Sequence, residues 1–227
     1  MIALLAALLF FPLLQMQAQD KWAQYRDSLR VATEELAYHP DSIYLLLRKA
    51  SWNVELEQWD YAKETYDQVL KLDPNNLSAL YYRAFVNRKL RRYRFARHDY
   101  EALLRLSPSH YEGQLGLALL CQEDNRKTEA LDIINNVVNN FPDSATAWAA
   151  RAGIEVENKT YETAEYDYTE ALKRDSTNKD YLLARADVRI KLGRLGEARR
   201  DLDELVRLGT PRMSLKTWYD KTREKKK

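Results

Sequence analysis

Two alanine series organise the hydrophobic pattern of this chain. Ala50, Ala84, Ala118, Ala152 and Ala186 recur every 34 residues, and Ala62, Ala96, Ala130, Ala164 and Ala198 follow them by twelve. Larger apolar residues bracket the second series. Trp59, Tyr93, Tyr161 and Leu195 precede it by three, and Tyr66, Tyr100, Ile134, Tyr168 and Leu202 follow it by four. Offsets of three and four share one helical face. The pattern therefore predicts two helices, A and B, in each period, with a small residue where they cross. A methyl group is the most that fits between two closely crossing backbones, and a larger side chain overpacks by about 1–3 kcal/mol.

The predicted units are 43–76, 77–110, 111–144, 145–178 and 179–212. In the first, helix A runs from Ser42 to about Leu56, a turn follows at Glu57 and Gln58, and helix B ends near Leu72. Asp73, Pro74, Asn75 and Asn76 stop it, because proline disfavours helix in the residue before it and asparagine suits turns. Ser107 with Pro108 and Phe141 with Pro142 close the next two units. Ser176 stands there in the fourth, and Leu208 with Gly209 ends the fifth, where glycine can take the left-handed cap conformation. Lys127 interrupts the aromatic series and predicts a looser turn in the third unit. A fixed period of this length means stacked copies of one supersecondary unit, each touching its neighbours. The expected fold is all-α, an elongated solenoid of antiparallel helix pairs.

The ends differ. Residues 19–42 read as a half-unit cap, with Trp22, Tyr25, Leu29 and Leu36 on one helical stripe. Residues 213–227 read as a C-terminal cap and basic tail, with Ser214 capping a helix whose Leu215, Trp218 and Tyr219 cover the fifth unit. Residues 1–18 read as a signal peptide. Ile2 to Leu14 is apolar throughout, short for a membrane span and right for a signal core, with a cut expected after Ala18. No Lys or Arg precedes that run, so either the signal is unusual or the start codon lies upstream. No cysteine follows it, which argues against an N-terminal lipid anchor. As a retained repeat helix the segment would carry Pro12 at an interior position, at a cost of roughly 3 kcal/mol. The expected location is periplasmic or secreted.

A second pattern emerges by comparing units. Where position 7 is Arg83, Arg151 or Arg185, position 23 is Asp99, Asp167 or Asp201; where position 7 is Leu117, position 23 is Ile133. Charge exchanges with charge and aliphatic with aliphatic, as residues in contact would do. The expectation is a structural Arg–Asp bridge within a unit or across to its neighbour. Because each Arg has its Asp, an open arginine ladder for anions is disfavoured.

Composition adds exclusions. Thirty-six basic residues face 34 acidic ones, a net charge of +2, so there is no global case for nucleic acid. Six glycines and six prolines leave no room for a flexible linker. The single cysteine, Cys121, stands at a packing position and reads as a small buried hydrophobe. His39, His98 and His110 lie near helix ends and do not share a face. No metal-ligand spacing, phosphate loop or nucleophile motif occurs, so no catalytic residue and no cofactor are expected. The densest basic stretch runs from Arg88 to His98 and reads as a solvated turn or as a peripheral contact with an anionic envelope surface.

The ten alanines and the aromatic Trp148 at position 4 resemble the tetratricopeptide repeat family over residue 43 to about 212. Position 8 is uniformly Ala where the family usually has Gly. Position 11 is Asn53, Asn87, Cys121, Glu155 and Arg189 where it usually has Tyr. The resemblance implies a right-handed superhelix and non-catalytic binding of a protein or peptide partner in a groove lined by helix A positions 2, 5, 9 and 12. On this chain the implied groove residues are Tyr44, Leu47, Tyr81, Phe85, Arg88, Leu115, Leu119 and Leu183, with an apolar strip through Leu47, Tyr81, Phe85, Leu115 and Leu119. No unit carries the Lys at position 5 with Asn or Arg at position 9 that clamps a terminal carboxylate. A glycan- or lipid-binding envelope module using the basic, Tyr-rich second unit is the alternative.

Overall fold

The computed structural model describes residues 21–223, so the export segment at 1–18 and the last residues of the basic tail lie outside the described residues. Every regular element among the described residues is helical. None of these helices is long and apolar enough to cross a membrane. The chain forms two compact units, one ending at His110 and one beginning at Tyr111.

The first unit contains α1 (21–38), α2 (Ile43–Glu55), α3 (Trp59–Leu72), α4 (Leu77–Lys89) and α5 (Tyr93–Leu106). The second contains α6 (Tyr111–Glu123), α7 (Lys127–Asn140), α8 (Ala145–Glu157), α9 (Tyr161–Arg174), α10 (Lys179–Lys191) and α11 (Leu195–Arg207). A 3-10 turn at Arg212–Leu215 then leads into α12 (Lys216–Lys221). In the first, second, fourth and fifth repeats helix A starts with a side-chain cap: Ser42, Asn76, Ser144 and Asn178 accept from the backbone N–H of Leu45, Ala79, Ala147 and Tyr181. Such caps satisfy donors that the first helical turn leaves unpaired.

The turn between A and B is built the same way five times. Glu57, Arg91, Asn125, Lys159 and Gly193 each take positive φ. The next residue then donates its N–H to the carbonyl five residues back, from Gln58 to Asn53, Arg92 to Asn87, Arg126 to Cys121, Thr160 to Glu155 and Arg194 to Arg189. The third turn is therefore no looser than the others, contrary to the expectation drawn from Lys127. Backbone bonds and the left-handed residue close this turn, and the side chain that opens helix B takes no part in those bonds.

All ten period alanines are fully buried. In the first unit Ala50 and Ala62 sit among Leu36, Leu45, Leu46, Tyr66 and Val69. In the second, Ala152 and Ala164 pack with Tyr168 and Val188, while Ala186 packs with Leu182, Leu202 and Leu205. Leu215 and Tyr219 join that last cluster, so the C-terminal segment covers the fifth repeat. Ser214 does not cap α12; it lies within the 3-10 turn, and its hydroxyl donates back to the Pro211 carbonyl at 2.7 Å. Cys121 is buried.

Replacing Ala96 with Trp forces an indole into a site with no accessible surface. The expected outcome is a loss of about 3 kcal/mol or more, seen as a lowered melting temperature by circular dichroism. An unchanged melt would contradict the close helix crossing.

Candidate functional site

In the first unit the exposed side of α2 borders a groove of about 320 Å³. Its wall includes Tyr44, Leu47, Ser51 and Val54, the four helix-A positions expected from the repeat register. Arg48 and Glu55 add opposite charges, and Tyr66, Ser78 and Tyr82 complete the lining. Tyr44 and Tyr82 are exposed, whereas Tyr66 is buried and stacks on Tyr82 with ring centroids 6.0 Å apart. Burial, with the neighbouring Tyr82, holds the Tyr66 hydroxyl well above the usual phenol range. Arg48 lies over the Tyr44 ring at 5.6 Å, which stiffens the rim.

The remaining implied groove residues are placed differently. Tyr81 is half-buried and packs edge-on against Tyr82 and Tyr100 and stacks on His110, so Tyr82, one position on, lines the groove in its place. Phe85 is half-buried against Trp59, with Arg88 over its ring at 5.6 Å. In the second unit Leu115 and Leu119 are half-buried, and Leu183 packs on the core around Leu202 and Leu205. The expected strip of open leucines and aromatics is thus drawn partly into the packing. All five residues of the expected strip are half-buried, and the exposed rings beside Leu47 are Tyr44 and Tyr82.

A polar system with one repeated geometry recurs within each unit. Arg83 Nε and Nη2 donate to the two Asp99 oxygens at 2.8 and 2.7 Å, and its Nη1 reaches back to Asp67 at 2.7 Å. Arg151 grips Asp167 at 2.6 and 2.8 Å and reaches Asn135 at 3.1 Å. Arg185 grips Asp201 at 3.2 and 2.7 Å and reaches Thr169 at 3.1 Å. Every partner lies 16 residues away, ahead in the same repeat or behind in the preceding one. Each guanidinium therefore bridges the two helices of its own repeat and ties them to helix B of the repeat before. Burial opposes the Arg83 charge, but Asp99 and Asp67 outweigh it and raise Arg83 above its ordinary value. The sequence left open a bridge within the repeat or across to its neighbour; the guanidinium makes both, and the acceptor behind it is position 25 of the preceding repeat, which the comparison of positions 7 and 23 did not identify. Tyr219, one period after Arg185, donates its hydroxyl to Asp203 at 2.6 Å in the same relation.

Position 11 faces these aspartates. Asn87 donates weakly to Asp99 at 3.5 Å. Arg189 binds Asp201 and Glu165 at 2.8 Å each, and Arg194 also pairs with Glu165. Glu155 instead sets a second acid against Asp167. Burial first, and Asp167 second, push its carboxyl up to about 7. Trp148 is held nearby between the Arg151 and Arg174 guanidiniums, at 4.9 and 4.8 Å from its ring, and its indole N–H donates to the Pro142 carbonyl. Among the described residues no cluster of His, Cys, Asp and Glu could hold a metal ion.

The geometry is that of a helix-pair repeat protein with a lateral groove. Tetratricopeptide repeat models match residues 44–76, 86–138 and 125–181. The chain belongs to the tetratricopeptide repeat family. A tetratricopeptide repeat protein from Parabacteroides merdae is 20% identical, with a TM-score of 0.74 over 90% of this chain and 80% of that one. TTC0263 of Thermus thermophilus is 19% identical, with a TM-score of 0.65 over 80% of this chain and 98% of its own. YrrB, a repeat protein with an unusual peptide-binding site, is 15% identical, with a TM-score of 0.56 over 80% of this chain and 94% of its own. At these identities the likeness speaks for the fold alone. No curated protein matches the sequence.

Two measurements test the polar system. Asp99→Ile alone leaves Arg83 with an unpaired buried face and is expected to cost about 3–5 kcal/mol in chemical denaturation. Adding Arg83→Leu, after the Leu117 and Ile133 of the third repeat, should restore most of that loss. A double variant no better than the single would contradict the exchange. For Glu155 the folded value lies above the ordinary 4.5. Its stabilising contribution is thus complete below about pH 4.5 and is lost as pH rises through about 7. Glu155→Gln keeps a donor toward Asp167 at all pH values. It should melt like the parent at pH 4 and above it at pH 8; equal melts at both would contradict a raised Glu155 carboxyl.

Proposed function

We propose that this protein is an exported, non-catalytic scaffold that holds a segment of a partner protein in the groove along α2 and α4. The observation that carries the reading is the groove itself, where exposed Tyr44 and Tyr82 flank the aliphatic floor of Leu47 and Val54. Exposed aromatics beside an apolar floor are the composition of binding hot spots. Arg48 and Glu55 stand seven residues apart on α2, about 10 Å along the axis, so an occupant with opposite charges at that separation is favoured. Membership in a family of protein-binding scaffolds supports the mode of action, and the fold shared with YrrB supports a peptide as occupant. The apolar segment from Ile2 to Leu14 supports export.

A second reading is contact with an anionic envelope surface through the stretch from Arg88 to His98. Arg91 and Arg94 have no ion-pair partner among the described residues, which favours it.

A photo-crosslinking residue at position 44, used in the native envelope, tests the first reading. The expected product is one polypeptide joined to a scaffold whose N-terminus is Gln19. The purified partner segment should bind Tyr44→Asp/Tyr82→Asp at least about tenfold more weakly, with unchanged melting. Recovery of only lipid or polysaccharide would displace the groove reading, and an intact Met1 would remove export.

A further inference from the structure

The first unit holds a second concavity that shares no residue with the groove. It is a notch of about 630 Å³ lined by Lys63 and Asp67 of α3, Arg83 and Asn87 of α4, Arg92 in the turn, and Phe95, His98 and Asp99 of α5. Its volume falls in the range of small-molecule sites. The floor is fixed, because three nitrogens of Arg83 are bonded to Asp99 and Asp67. Asn87, 2% exposed, also lies there, and its amide oxygen has no hydrogen-bond partner.

The rim differs from the floor. Lys63 and Arg92 carry positive charge, His98 stands 3.5 Å from Asp99, and Phe95 is 56% exposed with Arg94 over its ring at 5.6 Å. Both carboxylates of the notch are already engaged, Asp99 by Arg83 and Asp67 by Arg83 and Lys63. Arg92 makes one contact, with the exposed Asp60 at 3.1 Å, and that pair is weak in solvent. The notch therefore offers a cationic rim and an aromatic platform.

We propose that this notch binds an acidic sugar, a pyranose carrying a carboxylate or a phosphate. The anion takes Arg92, with Lys63 and His98 beside it, and the C–H face of the sugar lies against Phe95. An inorganic anion would leave Phe95 unused, and a neutral sugar would leave the cations unused. The proposal rests on the second reading above, an anionic contact through the second repeat, and gives it a site and a ligand class.

Calorimetric titration of the full chain tests it with a glucuronate disaccharide, glucose 6-phosphate, glucose, inorganic phosphate and phosphatidylglycerol vesicles. At least one of the two acidic sugars should bind about tenfold or more tightly than glucose or inorganic phosphate, and which of them does so identifies the anion. Arg92→Ala and Phe95→Ala should each weaken that binding about tenfold or more, and both should melt like the parent because both side chains are solvent-facing. No binding of either sugar, affinity equal to that of inorganic phosphate, or indifference to both substitutions would overturn the site. Vesicle binding without sugar binding would overturn the notch while leaving the surface contact standing.

Discussion

Everything in this molecule depends on how closely two helices can approach when only a methyl group separates them. Ala50 with Ala62 and Ala84 with Ala96 are without accessible surface, as are the corresponding pairs to Ala186 with Ala198. Close approach brings the large residues one helical turn away into contact as well, which is why Tyr66, Tyr100, Ile134 and Leu202 are also buried. The turn geometry follows from the same constraint. A short link between two tightly crossed helices needs a left-handed residue, and four of the five turns place a non-glycine there despite its conformational cost. The pairing of helices is thus maintained against local preference by packing.

The junctions between repeats are governed by a different interaction. A guanidinium has a planar fork of donors, and that fork suits a site with acceptors on two sides. Arg83, Arg151 and Arg185 each use one edge for an aspartate in their own repeat and the remaining nitrogen for the repeat before. Lysine, a single compact point of charge, could not do both. Such pairs contribute little net stability when buried, yet they penalise any register in which one partner is left alone. Their role here is to fix how neighbouring repeats meet. Position 11 adds to three of these sites, an amide at Asn87, a second arginine at Arg189, and at Glu155 a second acid whose carboxyl is raised by burial and by Asp167.

The alanine register made the helix pairs and their limits legible from the sequence alone, because a period of small residues has one structural cause. Arg–Asp contact was legible from covariation between units, and the same comparison extended one step back would have found Asp67, Asn135 and Thr169. The groove was legible only in part. Register gives the face of a helix on which a residue stands, and it placed Tyr44, Leu47, Ser51 and Val54 together. It does not give how far a neighbouring ring fills the space in front. Tyr81 was therefore assigned to an open strip although Tyr100 and His110 enclose it. The notch was not legible at all, since its residues come from positions 7, 11, 16, 19, 21, 22, 23 and 25 of two repeats and show no pattern until folded.

Groove and notch share the same support. Tyr66 and Tyr82 line the groove from α3 and α4, and Arg83, next to Tyr82, ties α3 to α4 and α4 to α5 through Asp67 and Asp99. A side chain that fixes three helices also fixes the walls of any concavity between them. Binding to such walls costs less ordering entropy than binding to mobile ones. Exposed Tyr82 and Phe95 both stand in the repeat that contains the fully engaged Arg83. The third repeat, with Leu117 and Ile133 at the equivalent positions, has no guanidinium fork to do the same, and its helices carry no comparable set of exposed rings.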